Sequence, residues 1–135
     1  AMKTFVVLCI LAAAAVAVVR ANDEALADVA DLTSANFDST IAGNDNVLVM
    51  FYAPWCGHCK RLKPTYSEAA TALKAAGNSG ILAKVDCTVE KELCRKYGVR
   101  GYPTLKAFKG DTDPDKAEKY TMGRTKEDLM SFMSK

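Results

Sequence analysis

Residues 47–52, Val47-Leu48-Val49-Met50-Phe51-Tyr52, form an unbroken apolar run. A run of this length fits a strand buried on both faces. From Cys56 to about Ala76 the pattern changes to three- and four-residue spacing, with Leu62, Tyr66, Ala69, Ala70 and Leu73 on one stripe. That spacing predicts a helix. Pro64 lies inside it and should kink it, because proline removes a backbone donor. Gly77-Asn78-Ser79-Gly80 ends the helix, and Ile81–Val85 reads as a second buried strand.

The flanking segments are weaker but patterned. Val29–Leu32 reads as a first strand. Thr33-Ser34 reads as a helix cap before the stripe Phe37 and Ile41, and Gly43-Asn44-Asp45-Asn46 as a turn. Glu90–Tyr97 predicts a short helix closed by Gly98. Tyr102-Pro103-Thr104 is a bend, Leu105–Phe108 a strand, Gly110–Pro114 a turn, and Lys116–Met122 an edge strand. Thr125 caps a last helix, with Asp128 three residues on and an apolar face of Leu129, Phe132 and Met133. The order is β-α-β-α-β-α-β-β-α. Alternating strands and helices predict an α/β layer structure, and the consecutive pair of strands makes the sheet mixed.

The apolar run Phe5–Val19 does not belong to this pattern. With Lys3 before it and Val19-Arg20-Ala21 after it, residues 1–21 read as a secretory signal peptide, the run being short for a membrane span; the other reading is a signal anchor that stays in the membrane. Residues 22–28 read as a flexible leader and 29–135 as a single domain. Removing residues 1–21 takes Lys3 and Arg20 from a net charge of +2, leaving zero. No basic run remains for a nucleic-acid partner. Of five cysteines, Cys56, Cys59, Cys87 and Cys94 remain. An even count in a secreted chain favours disulfides.

The chemistry concentrates at Trp55-Cys56-Gly57-His58-Cys59-Lys60, on the seam between strand and helix. Unpaired N–H groups at a helix N-terminus favour a thiolate at Cys56. His58, Lys60, Arg61 and Lys63 add positive charge nearby. Cys59, one turn on, can close a disulfide with Cys56, making a two-electron redox pair. Two other readings remain open here: half of a zinc site, or a purely structural disulfide. Zinc is the poorer fit, since no second pair has knuckle spacing. No metal and no cofactor is expected.

Phe51-Tyr52-Ala53-Pro54-Trp55-Cys56-Gly57-His58-Cys59-Lys60, followed by Tyr97-Gly98-Val99-Arg100-Gly101-Tyr102-Pro103-Thr104, resembles the catalytic domain of protein disulfide isomerases in the thioredoxin superfamily. The resemblance implies a thioredoxin fold, a central five-stranded mixed sheet flanked by four helices. It implies that Cys56 is the nucleophile and Cys59 the resolving cysteine, with Gly57 and His58 in the turn between them. Pro103 matches the family's cis-proline. Trp55 and Tyr102 would flank the site and contact substrate. Arg124 matches an arginine that helps the resolving cysteine ionise. Cys87 and Cys94 match a pair that forms a structural disulfide in some members, with two buried free thiols the other reading.

The implied activity is formation, reduction and rearrangement of disulfides in cysteine-containing client proteins of the secretory pathway, by a monomer in the endoplasmic reticulum lumen or outside the cell. The last residues, Phe132-Met133-Ser134-Lys135, are not of the Lys-Asp-Glu-Leu retention type. A histidine in the turn stabilises the reduced thiolate, so an oxidising site is expected. Other readings are a client-binding chaperone module with little isomerase activity and a general thioredoxin-like reductant.

One position departs from the family. Its buried acid is replaced by Met50, which accepts no proton. Resolution at Cys59 should then rely on water and Arg124. Lys84, the acid's usual neighbour, should turn its ammonium to solvent.

Overall fold

The computed structural model describes residues 26–135. The signal-peptide reading of residues 1–21, and the leader up to residue 25, lie outside the described residues. The strands are β1 (Ala30–Asp31), β2 (Val47–Tyr52), β3 (Ile81–Asp86), β4 (Thr104–Phe108) and β5 (Glu118–Lys119). The helices are α1 (Phe37–Ala42), α2 (Gly57–Ala75), α3 (Lys91–Lys96) and α4 (Lys126–Met133). The strands form one mixed sheet in the order β1-β3-β2-β4-β5. β3 runs parallel to both β1 and β2, while β4 is antiparallel to β2 and to β5.

The unbroken apolar run of β2 follows from its central place. Its alternate residues serve two cores. Leu48, Met50 and Tyr52 pack with α2 and α4 through Cys59, Leu62, Tyr66, Leu129 and Phe132. Val47, Val49 and Phe51 pack on the opposite face with Phe37, Ile41, Cys94 and Tyr97. The second face is largely aromatic: Phe37 meets Tyr97 at 5.2 Å and Phe108 edge-on at 5.6 Å between ring centroids. Truncating a side chain such as Phe37 to alanine should cost about 3–5 kcal/mol.

α2 continues through Pro64 to Ala75. The proline leaves the Lys60 carbonyl without its usual donor. On the buried side the Tyr66 hydroxyl lies 2.7 Å from the Leu48 carbonyl and 2.8 Å from that of Ala83, satisfying a polar group deep in the core. Gly98 takes φ +67° just past α3, and the Val99 N–H turns back to the Cys94 carbonyl at 3.0 Å. That reversal leads the chain toward the Tyr102–Pro103 turn.

Three local expectations are corrected. α1 starts at Phe37 rather than beside Thr33-Ser34. The Asn36 side chain accepts from the Thr33 N–H at 2.7 Å, and Glu90 accepts from both the N–H and the hydroxyl of Ser34. The expected strand Lys116–Met122 shortens to Glu118–Lys119. Asp113 accepts from the Asp115 N–H at 2.9 Å and holds Pro114–Lys116 in a tight helical turn. β1 shrinks to two residues, since only Ala30 and Asp31 find partners on β3. At the last helix Thr125 accepts from the Asp128 N–H at 3.0 Å, as the capping pattern predicts. Among the described residues no helix is long and apolar enough to cross a membrane.

Candidate active site

β2 ends at Tyr52, and the chain turns at once into α2, with the Cys56 N–H donating to the Ala53 carbonyl at 3.1 Å. Cys56 occupies the N-cap with extended backbone, φ −75° and ψ 124°, and its carbonyl accepts from the Lys60 N–H at 3.0 Å. Serine, threonine and aspartate are the usual caps because their oxygen accepts from the open N–H groups of the first turn. A thiol satisfies them poorly, and Cys56 makes no cap hydrogen bond. Its anion fits that position better.

The two cysteines are both unpaired thiols and are split electrostatically. A hydrogen bond from the Cys59 thiol holds the Cys56 thiol below its ordinary value. The backbone N–H groups of Cys59 and His58 and the charge of Arg124 act in the same direction. Cys59 is fully buried, and burial pushes it up to about 11. The Ala53 N–H and the charge of Lys63 only partly offset that burial. One thiol is poised to attack and the other is held protonated beneath it.

The residues singled out around this pair converge from three segments. The Cys56 Sγ lies 3.5 Å from the Tyr102 carbonyl, which precedes the cis Tyr102–Pro103 bond. Trp55 is 68% exposed and meets the Tyr102 ring edge-on at 5.8 Å. His58 Nδ1 lies 3.0 Å from Arg61 Nη2. A guanidinium only donates, so Nδ1 accepts and the ring proton sits on Nε2. Arg124 lines a cavity of about 230 Å³ with His58, Arg61 and Leu62. Gly123 before it packs against the Asp128 carboxylate, which would have to move aside for any side chain there. A side chain at Gly57 would meet nothing. The turn between the two cysteines therefore faces open space.

Below the thiols the structure corrects the reading of Lys84. Lys84 does not reach solvent: its side chain is 7% exposed, and its Nζ lies 3.5 Å from Asp31 Oδ1 and 3.4 Å from the Tyr52 hydroxyl. β1 pairs with β3 so that Asp31 stands opposite Lys84, while Met50 stands opposite it on the other side. β1 thus supplies a carboxylate where β2 carries methionine. Met50 is completely buried in the same core cluster as Cys59.

In the sequence Lys63 reads as one of the flanking charges and not as a buried group. It is buried on α2, with its Nζ 4.8 Å from the Tyr52 ring centre and the Lys84 Nζ 5.4 Å from the same ring. The signal was present: Lys63 follows Cys59 by four residues, on the helix stripe that carries Leu62 and Tyr66. Cys87 and Cys94 lie on the opposite face of the sheet and are joined by a disulfide, with Cα atoms 5.7 Å apart. Among the described residues no group of three or more histidine, cysteine or acidic side chains is arranged to hold a metal ion.

Comparison with known proteins agrees with this fold. The Thioredoxin family profile matches residues 28–135. A protein disulfide-isomerase from Oryctolagus cuniculus is 52% identical over 105 residues, which is 77% of this chain and 20% of that protein. A protein disulfide-isomerase from Aspergillus oryzae is 47% identical, over 99% of this chain and 26% of its own length. The solution structure of the first thioredoxin domain of mouse protein disulfide-isomerase A4 superposes with a TM-score of 0.69 at 38% identity, covering 83% of this chain and 81% of that domain. The chain thus spans about a fifth to a quarter of the length of these curated relatives.

Proposed function

The chain belongs to the thioredoxin family, and on that footing we propose that it is a thiol–disulfide oxidoreductase and isomerase acting on cysteine-containing client proteins. The observation that carries the reading is the electrostatic split between Cys56, favoured as a thiolate, and Cys59, a buried thiol pushed to about 11. Disulfide exchange needs one cysteine that attacks at neutral pH and a second that waits.

In the reducing direction the Cys56 thiolate attacks one sulphur of a client disulfide. A Cys56–client disulfide forms and the second client sulphur leaves as a thiolate. Cys59 then loses its proton and attacks the Cys56 sulphur. The Cys56–Cys59 disulfide forms, the client leaves as a thiolate, and two electrons have passed to the client. Oxidation runs the same steps backwards, and rearrangement stops at the mixed disulfide and lets another client thiolate resolve it. Lys63 favours the Cys59 anion as it forms and Arg124 favours the Cys56 thiolate, while Met50 takes no proton. Trp55, Tyr102 and Pro103 form the surface on which the client lies, and Gly57 leaves that surface open. His58 supports the Cys56 thiolate through its backbone N–H.

The secretory reading of residues 1–21 and the Cys87–Cys94 disulfide support a place in the endoplasmic reticulum lumen or beyond it. Insulin reduction and the refolding of a scrambled disulfide protein test the activity. Cys56→Ser should abolish both. Retention of either in that variant would refute the reading.

A further inference from the structure

Beside the Tyr102–Pro103 turn lies a cleft of about 540 Å³ that runs along the β4–β5 edge toward the loop before α4. Arg100, Lys106, Lys119 and Arg124 line it, and no carboxylate does. Among the described residues none of these four has an ion pair or a side-chain hydrogen bond, whereas Lys74 pairs with Asp28, Lys84 with Asp31 and Lys116 with Asp111.

The register adds a second observation. Lys106 and Lys119 stand directly opposite each other across β4 and β5. Cross-strand partners share a face, and like charges placed so are destabilising. Glu118, one residue away, is opposite Ala107 instead. Lys106 also stands opposite Val49, so the fold keeps this uncompensated pair on the face of the Cys87–Cys94 core, at the sheet edge, in a cleft that reaches the Tyr102–Pro103 turn. With residues 1–21 removed the chain carries no net charge, so this positive field is local to the cleft.

We propose that this cleft docks an acidic segment of the client polypeptide, adjoining the client cysteine that exchanges with Cys56. The proposal rests on the oxidoreductase reading and assigns that site a client class. A client sulphur joined to Cys56 sits beside Tyr102, because the Cys56 Sγ is 3.5 Å from the Tyr102 carbonyl. From Pro103 to Lys106 is three residues of extended chain, about 10 Å. A client that passes Pro103 and turns over the sheet edge into the cleft therefore brings carboxylates three or more residues from its cysteine over Lys106 and Lys119. There they neutralise the lysine pair, and the interaction weakens with salt as exposed charge pairs do.

The test uses the reduced chain and disulfide peptides that differ only in the residues flanking cysteine: aspartate and glutamate, serine, or lysine. Second-order exchange rates are measured at low salt and at about 0.5 M salt. The acidic peptide should exceed the serine peptide by about tenfold at low salt, the worth of two or three exposed charge pairs. The lysine peptide should be slowest. In about 0.5 M salt the preference should fall to about twofold. Lys106→Ser/Lys119→Ser should remove most of it without lowering the melting temperature, since it relieves a repulsion. Equal rates for the three peptides, or a preference kept in full by the double variant, would overturn the proposal. If no peptide exchanges, the oxidoreductase reading fails. Titration of the acidic peptide, followed by the amide resonances of Lys106 and Lys119, then decides the cleft: shifts at both sustain it and unmoved resonances overturn it.

Discussion

The chain carries two cysteine pairs on opposite faces of one sheet, and they differ in almost everything except being buried. Cys87 and Cys94 lie among Phe37, Phe51 and Tyr97, joined by a disulfide. Cys56 and Cys59 are free thiols at the start of α2, with backbone N–H groups, Lys63 and Arg124 acting on them. An apolar aromatic face offers nothing to stabilise a thiolate, so a disulfide there is inert. A helix N-terminus with nearby cations stabilises one thiolate selectively, so a disulfide there is easily opened. Reactivity comes from the surroundings of the sulphur more than from the cysteine itself.

The largest effect should be seen within the reactive pair. Cys59 at about 11 and Cys56 below the ordinary 9.0 are at least two units apart. Cys56 should therefore be alkylated about a hundredfold faster at neutral pH. Mass spectrometry of briefly treated reduced protein reads this directly, and equal labelling would break the contrast. The pH dependence of stability has opposite signs at the two positions. Stability from the Cys56 thiolate is present above 9.0 and lost as pH falls through its lowered value. Stability from the buried Cys59 thiol is present below 9.0 and lost as pH rises toward about 11.

Next in size is removal of the inert bridge. Cys87→Ala/Cys94→Ala opens a short loop, for which chain entropy gives about 2.5 kcal/mol, or about 10 °C of melting temperature. Insulin reduction by the double variant should stay within about twofold of the parent. A large loss of activity would mean that the two faces are coupled.

The smallest effect concerns the missing acid. Met50→Glu places a carboxylate in the Cys59 cluster, opposite Lys84. A general base at this point should speed release of a trapped Cys56–client disulfide by about tenfold or more. An unchanged release rate would show that Asp31 and Lys63 already do what the acid would.

Much of this was legible along the chain. The β2 run, the stripe on α2 and the Thr125 cap are patterns of neighbouring residues, and the structure keeps them. Cys56, Cys59, Tyr102 and Pro103 were legible as a motif, and the fold brings them together. The edge strand read at Lys116–Met122 was not, because Asp113 captured its start for a local turn. The pairing of Lys84 is not legible along the chain, because its partner, Asp31, lies 53 residues earlier.

By itself, then, the sequence determined the order of elements and the reactive motif. Both follow from side-chain period and from the bonding needs of a helix start, which extend over only a few residues. Only the tertiary structure decided which charges are paired. The β1–β3 register gave Lys84 a carboxylate, and the β4–β5 register set Lys106 against Lys119. A strand register shifted by one residue changes every such partner while leaving the pattern along each strand the same.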